Sequence, residues 1–479
     1  MSLATDLPVR NPRSGLIDHQ MPVHDAAAVA GAAAALRAAQ PAWAALSVEA
    51  RLAALLQLAE VLLADSEALV AALTADTGRH HESVLEVQGS VGTIRRWLAD
   101  APALLADEAP RRSRVPHVVI EQHRRPYGVA GIISPWNFPL LLSLIDAIPA
   151  LVAGCAVLIK PSEATPRFVP VVRAAFARVP LLAPVVAWVT GPAPTGEALV
   201  RHSDVVCFTG SVRSGRRVAQ VAAEAFVPVH LELGGKDAAI VCADADLPAA
   251  ARALAWGSMG SAGQSCMSIE RCYVDSRVHD RFVALLAAEV AALRPCWPDI
   301  RQGHLGPIIA AVQEPIVRRH LADALARGAR AVTGGQVVQH GGGVWCQPTV
   351  LVGAAHAMAV MTEETFAAVL PVMAFDTEDE AVALANATDF GLSGCVFSQD
   401  VDRARLIAAR LQAGAISIND AALTAMVHDA AKQSFKFSGL GGSRMGTPSL
   451  QRFYRLQAFL INDGTPSPWW FPAQPATAA

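Results

Sequence analysis

The sequence predicts an α/β fold built from two doubly wound units. Apolar strand-like runs alternate with helical stretches, the pattern of a parallel sheet covered by helices on both faces. The alternation falls into two blocks, one before and one after about Leu233. The length, 479 residues, corresponds to two to four domains at roughly 150 residues each. Two α/β units joined in one chain fit these observations.

The elements follow in order. Residues 25–110 are rich in Ala and Leu, and apolar positions recur at three and four through Val48–Ala72. That stretch reads as a helical layer, not as a domain of its own. From Val115 the texture changes. The β-branched run His117–Glu121, then Gln-His-Arg-Arg, then Tyr127–Ser134, predicts a hairpin followed by a buried strand. Further strands are expected at Ala156–Lys160, Val185–Val189, Val205–Phe208 and Ala238–Val241. The second block, to about residue 430, includes Cys272–Val274, Thr349–Val352, Val369–Phe375 and Ala415–Asn419. No internal repeat is visible. The stretch Thr465–Ala479, around Trp469-Trp470-Phe471, is expected to lie extended on a neighbouring surface, because three adjacent aromatics are costly to leave in water.

Composition narrows the function classes. Lys plus Arg is 39 against 42 for Asp plus Glu, a net charge of −3 that argues against nucleic acid or an anionic membrane as partner. The mean hydropathy is +0.34, but much of the apolar content is alanine. The nearest approach to a membrane span, Phe138–Ile159, is interrupted by Asp146, and its apolar remainder falls short of the roughly 20 residues a bilayer requires. A buried core segment is expected instead. The N-terminus has no basic start followed by an apolar run, so no secretory leader is expected. The eight cysteines are scattered, without CxxC pairs or zinc spacing. Reduced thiols, a cytoplasmic location and no metal site are the expectation.

Five segments carry possible chemistry, and each has a plain structural reading beside the functional one. Phe208-Thr209-Gly210-Ser211 with Gly215 opens a helical stretch, where bare N–H groups and the dipole hold a phosphate. It is neither GxGxxG nor a P-loop, and glycine-serine turns before helices are common. Lys160-Pro161-Ser162-Glu163 ends a strand where open α/β sheets bind ligands, and equally describes a solvated turn. Glu232, between leucines before Gly234-Gly235, is either a desolvated general base or an outward-facing edge residue. Cys266 follows Gly263-Gln264-Ser265 and is either a thiol at a helix start, with lowered pKa, or a packing residue. Asn137, in Pro135-Trp136-Asn137-Phe138-Pro139, suits a preorganised oxyanion donor and equally a loop stop.

The ordered set says more than its members. Pro-Trp-Asn-Phe-Pro, Lys-Pro-Ser-Glu, Phe-Thr-Gly-Ser, Leu-Glu-Leu-Gly-Gly-Lys and Gly-Gln-Ser-Cys occur in that order, and the chain resembles the aldehyde dehydrogenase superfamily. The resemblance runs from Asn11-Pro12-Arg13-Ser14-Gly15 to Ser438-Gly439-Leu440-Gly441, through Met361–Phe366 and Gly391-Leu392-Ser393. It implies Cys266 as nucleophile, an oxyanion site from the Asn137 amide and the Cys266 N–H, and Glu232 as the base that activates water against a thioester. It places Lys160 and Glu163 on the adenine ribose, and Gly210, Ser211 and Gly215 at the pyrophosphate. Trp136 and Leu233 lie beside the cofactor, Glu364 on the nicotinamide ribose and Phe366 near the nicotinamide. The Glu163 carboxylate favours NAD, with NADP possible.

The same resemblance implies a cofactor domain (1–112 and 129–233), a catalytic domain (234–447) and a small β oligomerisation element with tail (113–128 and 448–479). A homodimer or homotetramer is expected. Several positions depart from the family pattern: Ala367-Ala368 replaces Gly-Pro, Ala431–Gly439 lacks the usual aromatic-glycine run, and Asp146 stands where a lysine is common. The substrate candidates Leu141, Leu142, Met267, Leu423 and Met426 are apolar, and no arginine stands out as a carboxylate anchor. An apolar or aromatic aldehyde is therefore expected. The alternatives are a coenzyme-A-acylating enzyme, against which Glu232 speaks, and a catalytically silent scaffold, against which the intact set Cys266, Glu232 and Asn137 speaks.

Overall fold

A computed structural model describes residues 6–464. The aromatic tail Trp469–Phe471 lies outside the described residues. The helical layer is four helices, Ala26–Ala44, Val48–Ala64, Ser66–Thr77 and His80–Leu105. The periodic stretch Val48–Ala72 spans two of these helices, which meet at Asp65.

Two sheets organise the chain. In the first, parallel strands Val229–Glu232, Val205–Thr209, Val129–Ile133, Ala156–Lys160 and Val186–Trp188 lie side by side in that order. A two-residue strand from far along the chain, Gly439–Leu440, adds antiparallel to Val229–Glu232 at the edge. In the second, the order is Arg330–Thr333, Thr349–Val352, Val369–Phe375, Ile269–Asp275, Asp237–Val241, Ser393–Phe397 and Ala415–Ile418. Only its first pair is antiparallel. Every predicted strand is present within a few residues; Ser393–Phe397, Arg330–Thr333, the hairpin Val337–His340/Gly343–Cys346 and the N-terminal hairpin Asp6–Arg10/Ile17–Pro22 are among those the sequence did not announce.

The central strands of both sheets are buried throughout, as expected of parallel sheets covered on both faces. The segment tested as a membrane span is the helix Pro139–Ala153 followed by the strand Ala156–Lys160, both in the core. No helix among the described residues is long and apolar enough to cross a membrane.

A third sheet stands apart. Tyr454–Asn462 pairs antiparallel with Val118–Pro126 over nine residues, and Arg111–Arg112 pairs with Val119–Ile120; Gln122–Arg125, expected between two runs, lies within one continuous strand.

Candidate active site

Strand ends of the two sheets and the loops beside them build the site. Glu232 is the last residue of its strand, and Gly234-Gly235 follows at once. A Cβ on Gly235 would lie 2.5 Å from the Cys266 carbonyl oxygen, so the missing side chain lets the two backbones meet. Cys266 itself lies in a turn between the short helix Gly260–Gly263 and the strand Ile269–Asp275. The helix start proposed for it from sequence is absent. Ser261, Ala262 and Gly263 run through positive φ (58°, 56° and 70°), and this left-handed turn aims the chain toward the sheet edge. Without a helix dipole beneath it, the thiol is pushed up to about 12 by burial, with Arg444 pulling the other way and the Glu232 carboxylate adding to the rise. It is the one cysteine of eight that is only partly buried.

Asn137 is 3% exposed, and its Nδ2 donates to the Gln264 carbonyl at 3.0 Å, two residues from Cys266. Gln264 is held in turn: its Nε2 donates to the Pro307 carbonyl at 3.0 Å, and its Oε1 accepts from the Ile309 N–H at 2.9 Å. Two residues absent from the sequence reading fix the Asn137 loop from the helix His80–Leu105 and its N-cap. Buried Arg79 donates to the Asn137 carbonyl and lies over the Phe138 ring. Buried Glu86 accepts from the N–H groups of Leu140 and Leu141 at 2.7 and 3.0 Å, capping the next helix. Burial pushes its carboxyl up to about 7. No motif marks either residue; only the packing of two distant helices reveals them.

Glu232 lines a cavity with Met267, Leu392, Lys432, Ser434 and Arg444. Its Oε2 accepts from Ser434 Oγ at 3.2 Å. Burial raises its pKa, and Arg444 and Arg452 oppose the rise. Asp146, the departure noted in sequence, faces both of those arginines. Arg444 Nη2 bonds its Oδ2 at 2.6 Å, and Arg452 bonds its Oδ1. Burial works against ionisation of Asp146, but the two guanidiniums prevail and hold it below its ordinary value. Arg444 Nη2 also donates at 2.7 Å to Thr209 Oγ1, and Thr209 is the register partner of Glu232.

The cofactor candidates also converge on these strand ends. Lys160 is buried and its Nζ lies 3.3 Å from Glu163 Oε2. Ser211 caps the helix Val212–Ala225, accepting from Ser214 N–H at 3.2 Å, and Gly210 N–H donates to the Glu232 carbonyl at 3.1 Å. A Cβ on Gly215 would meet Leu233 at 2.5 Å, so this glycine sets how closely helix and strand approach. Glu364 Oε1 accepts from Gly235 N–H at 3.0 Å, and burial pushes its carboxyl up to about 8. Trp136 and Phe366 meet edge to face, centroids 5.3 Å apart. The Ala367-Ala368 loop is held by buried Glu270, which accepts from the N–H groups of Thr365 and Phe366, both at 2.7 Å, and pairs with Lys236 at 2.6 Å. Of the substrate candidates Leu141, Met267 and Leu423, only Met267 lines the cavity. Leu141 packs near Gly89 on the preceding helix, and Leu423 is exposed at a helix start.

A family model described as "Aldehyde dehydrogenase family" matches residues 2–459. The chain belongs to the aldehyde dehydrogenase family. It is 37% identical over 421 residues to the 4,4'-diapolycopene aldehyde oxidase of Methylomonas sp, covering 87% of this chain and 78% of that one. The solved structure of the PutA protein of Anabaena variabilis superposes with a TM-score of 0.95 at 47% identity, over 98% of this chain and 100% of the other. An NAD+ complex of betaine aldehyde dehydrogenase from Staphylococcus aureus, with a mercaptoethanol-modified cysteine, gives 0.90 at 27% identity, over 98% and 96%. This aldehyde dehydrogenase is an NAD(P)-dependent oxidoreductase.

Proposed function

We propose that the protein oxidises an aldehyde of apolar or aromatic skeleton to the carboxylic acid, with NAD, through a thioester on Cys266. The observation that carries the reading is the tie between the Asn137 amide and the Gln264 carbonyl, beside a thiol that feels the charge of Glu232. A side-chain amide has two N–H donors. The Gln264 carbonyl takes one and fixes the plane of the group. The second, with the Cys266 backbone N–H, serves the oxygen of a carbonyl under attack.

A thiol pushed up to about 12 is not a thiolate at neutral pH. Its proton must leave as Sγ attacks, and Glu232, whose own pKa is raised, accepts it. The thiohemiacetal collapses to a thioester as its hydrogen leaves as hydride. Glu232 passes that proton to solvent and then takes one from water, whose oxygen attacks the thioester carbon; the C–S bond breaks, and the departing thiolate recovers a proton from Glu232. A nicotinamide, when bound, would supply the hydride acceptor. Lys160 and Glu163 would hold its adenine ribose, the Gly210–Ser211 turn its pyrophosphate and Glu364 its second ribose. The chemistry of that donor set fits a dinucleotide: a carboxylate for ribose hydroxyls, a helix N-terminus for phosphate, and an aromatic pair for a ring. The reading includes the division into 1–112 with 129–233, 234–447, and 113–128 with 448–479, and assembly as a homodimer or homotetramer.

NADH formation from aliphatic and aromatic aldehydes, without coenzyme A, tests it. Cys266→Ala abolishes the signal. Glu232→Gln removes the base for both steps, so it suppresses the first-turnover burst and lowers the steady state by about 10²-fold or more. Activity that survives in Cys266→Ala, or that requires coenzyme A, overturns the reading.

A further inference from the structure

The cavity beside Glu232 and Met267 holds a cation that the proposed reaction does not use. Lys432 Nζ donates to the Thr424 carbonyl and lies 3.8 Å from Met267 Sδ, both uncharged. It forms no ion pair among the described residues. The segment that carries it is fixed by the Lys432 backbone N–H, which donates to Ser443 Oγ at 3.0 Å. Burial lowers the lysine's pKa, while Glu232, Cys266 and Asp237 draw it back up and Arg444 opposes them. The ammonium therefore lies within electrostatic reach of the nucleophile.

The same cavity wall holds an unsatisfied donor. Arg444 is buried, and its Nε has no partner among the described residues, although Nη2 is engaged by Asp146 and Thr209. Asp146 neutralises only one of Arg444 and Arg452, so that cluster keeps a positive charge. Against Lys432 and this cluster the cavity wall offers, among the described residues, only the Glu232 carboxylate. The wall carries an excess of positive charge beside the thioether of Met267 and the side chain of Leu392. A buried charge without a partner is costly, and a ligand that supplies the counter-charge recovers that cost.

We propose that the aldehyde carries a carboxylate at its far end, and that Lys432 binds this group as the specificity residue. The inference rests on the dehydrogenase reading and deepens it: an apolar or aromatic skeleton passes Met267, and its anionic end meets Lys432.

The test compares matched acid and ester pairs: 4-carboxybenzaldehyde with methyl 4-formylbenzoate, and 4-oxobutanoate with its methyl ester. The acid is expected to lead in kcat/KM by about tenfold or more, the worth of one charge-assisted hydrogen bond. Lys432→Met brings the ratio close to one, and Lys432→Arg retains most of it. A second readout is free of turnover: alkylation of Cys266 by iodoacetate against iodoacetamide, followed at the peptide level. The anionic reagent's relative rate falls several-fold in Lys432→Met, whatever happens to the thiol's own reactivity. Acids and esters oxidised alike in the wild type overturn the proposal and leave the dehydrogenase standing. An alkylation ratio unchanged by Lys432→Met overturns it as well. No oxidation of any aldehyde, with an alkylation ratio that depends on Lys432, overturns the reaction and leaves the anion site.

Discussion

Asp146, Arg444 and Arg452 form a buried ion cluster against the strand that ends at Glu232, and the cluster bears on the proposed base. Arg444 favours the charged carboxylate, so its removal raises the pKa of Glu232. A base works deprotonated, and the ascending limb of the pH–rate profile must then move to higher pH. Arg444→Gln is expected to shift that limb upward by about one pH unit or more, because an opposite charge close by lowers a carboxyl pKa by that order. Arg452 keeps Asp146 paired in the variant. A limb that stays in place would separate the cluster from the base. Glu163 gives a second residue-scale prediction. Its side chain is half exposed beside Lys160, and on the proposed adenine ribose its charge would repel a 2′-phosphate. Glu163→Gln should raise the NADP-to-NAD ratio of kcat/KM, checked by parallel titrations of the two cofactors; an unchanged ratio would assign the selectivity elsewhere.

At the scale of elements, the site depends on turns that only glycine fits. Gly263 has φ +70°, and a Cβ there would lie 2.2 Å from the Ala367 carbonyl oxygen. The Gly263→Ala variant therefore meets left-handed strain of about 1–2 kcal/mol and a backbone clash besides. Urea unfolding should report that loss of stability, and Cys266 should react more slowly with iodoacetamide as its turn is displaced. Unaltered stability would mean that the Ala367 loop gives way freely. The strands were legible because a strand buried on both faces is a continuous apolar run, as in Ala156–Lys160 and Val369–Phe375. The strand Ser393–Phe397 was not, because Ser393-Gly394 opens it and masks the run; Ser393 is there to meet buried Asp237. The helix start imagined for Cys266 failed for a related reason. Three successive positive φ values depend on contacts with a distant loop, and no local pattern announces them.

For the whole molecule, the third sheet presents an apolar surface to solvent. Leu456 and Leu460 are each 70% exposed, and Phe459 and Ile461 are also exposed. Contiguous apolar exposure on a long strand invites pairing, and the proposed assembly would cover it. Replacing Leu456 and Leu460 by Glu together should convert the assembly to a monomer in sedimentation or light scattering. A monomeric wild type would refute this use of the sheet.

The sequence by itself determined the alternation of elements, the buried nature of Phe138–Ile159, and the ordered motifs that place the chain in its family. These are local properties: periodicity, composition and spacing survive in one dimension. Tertiary structure alone decided which charges face the base. Lys432 and Arg444 come from a segment about 200 residues beyond Glu232, whose Gly439–Leu440 strand joins the edge of the first sheet. Arg79 and Glu86 reach the Asn137 loop from another helix. Electrostatic coupling depends on distance and burial in space, and neither can be read from separation along the chain.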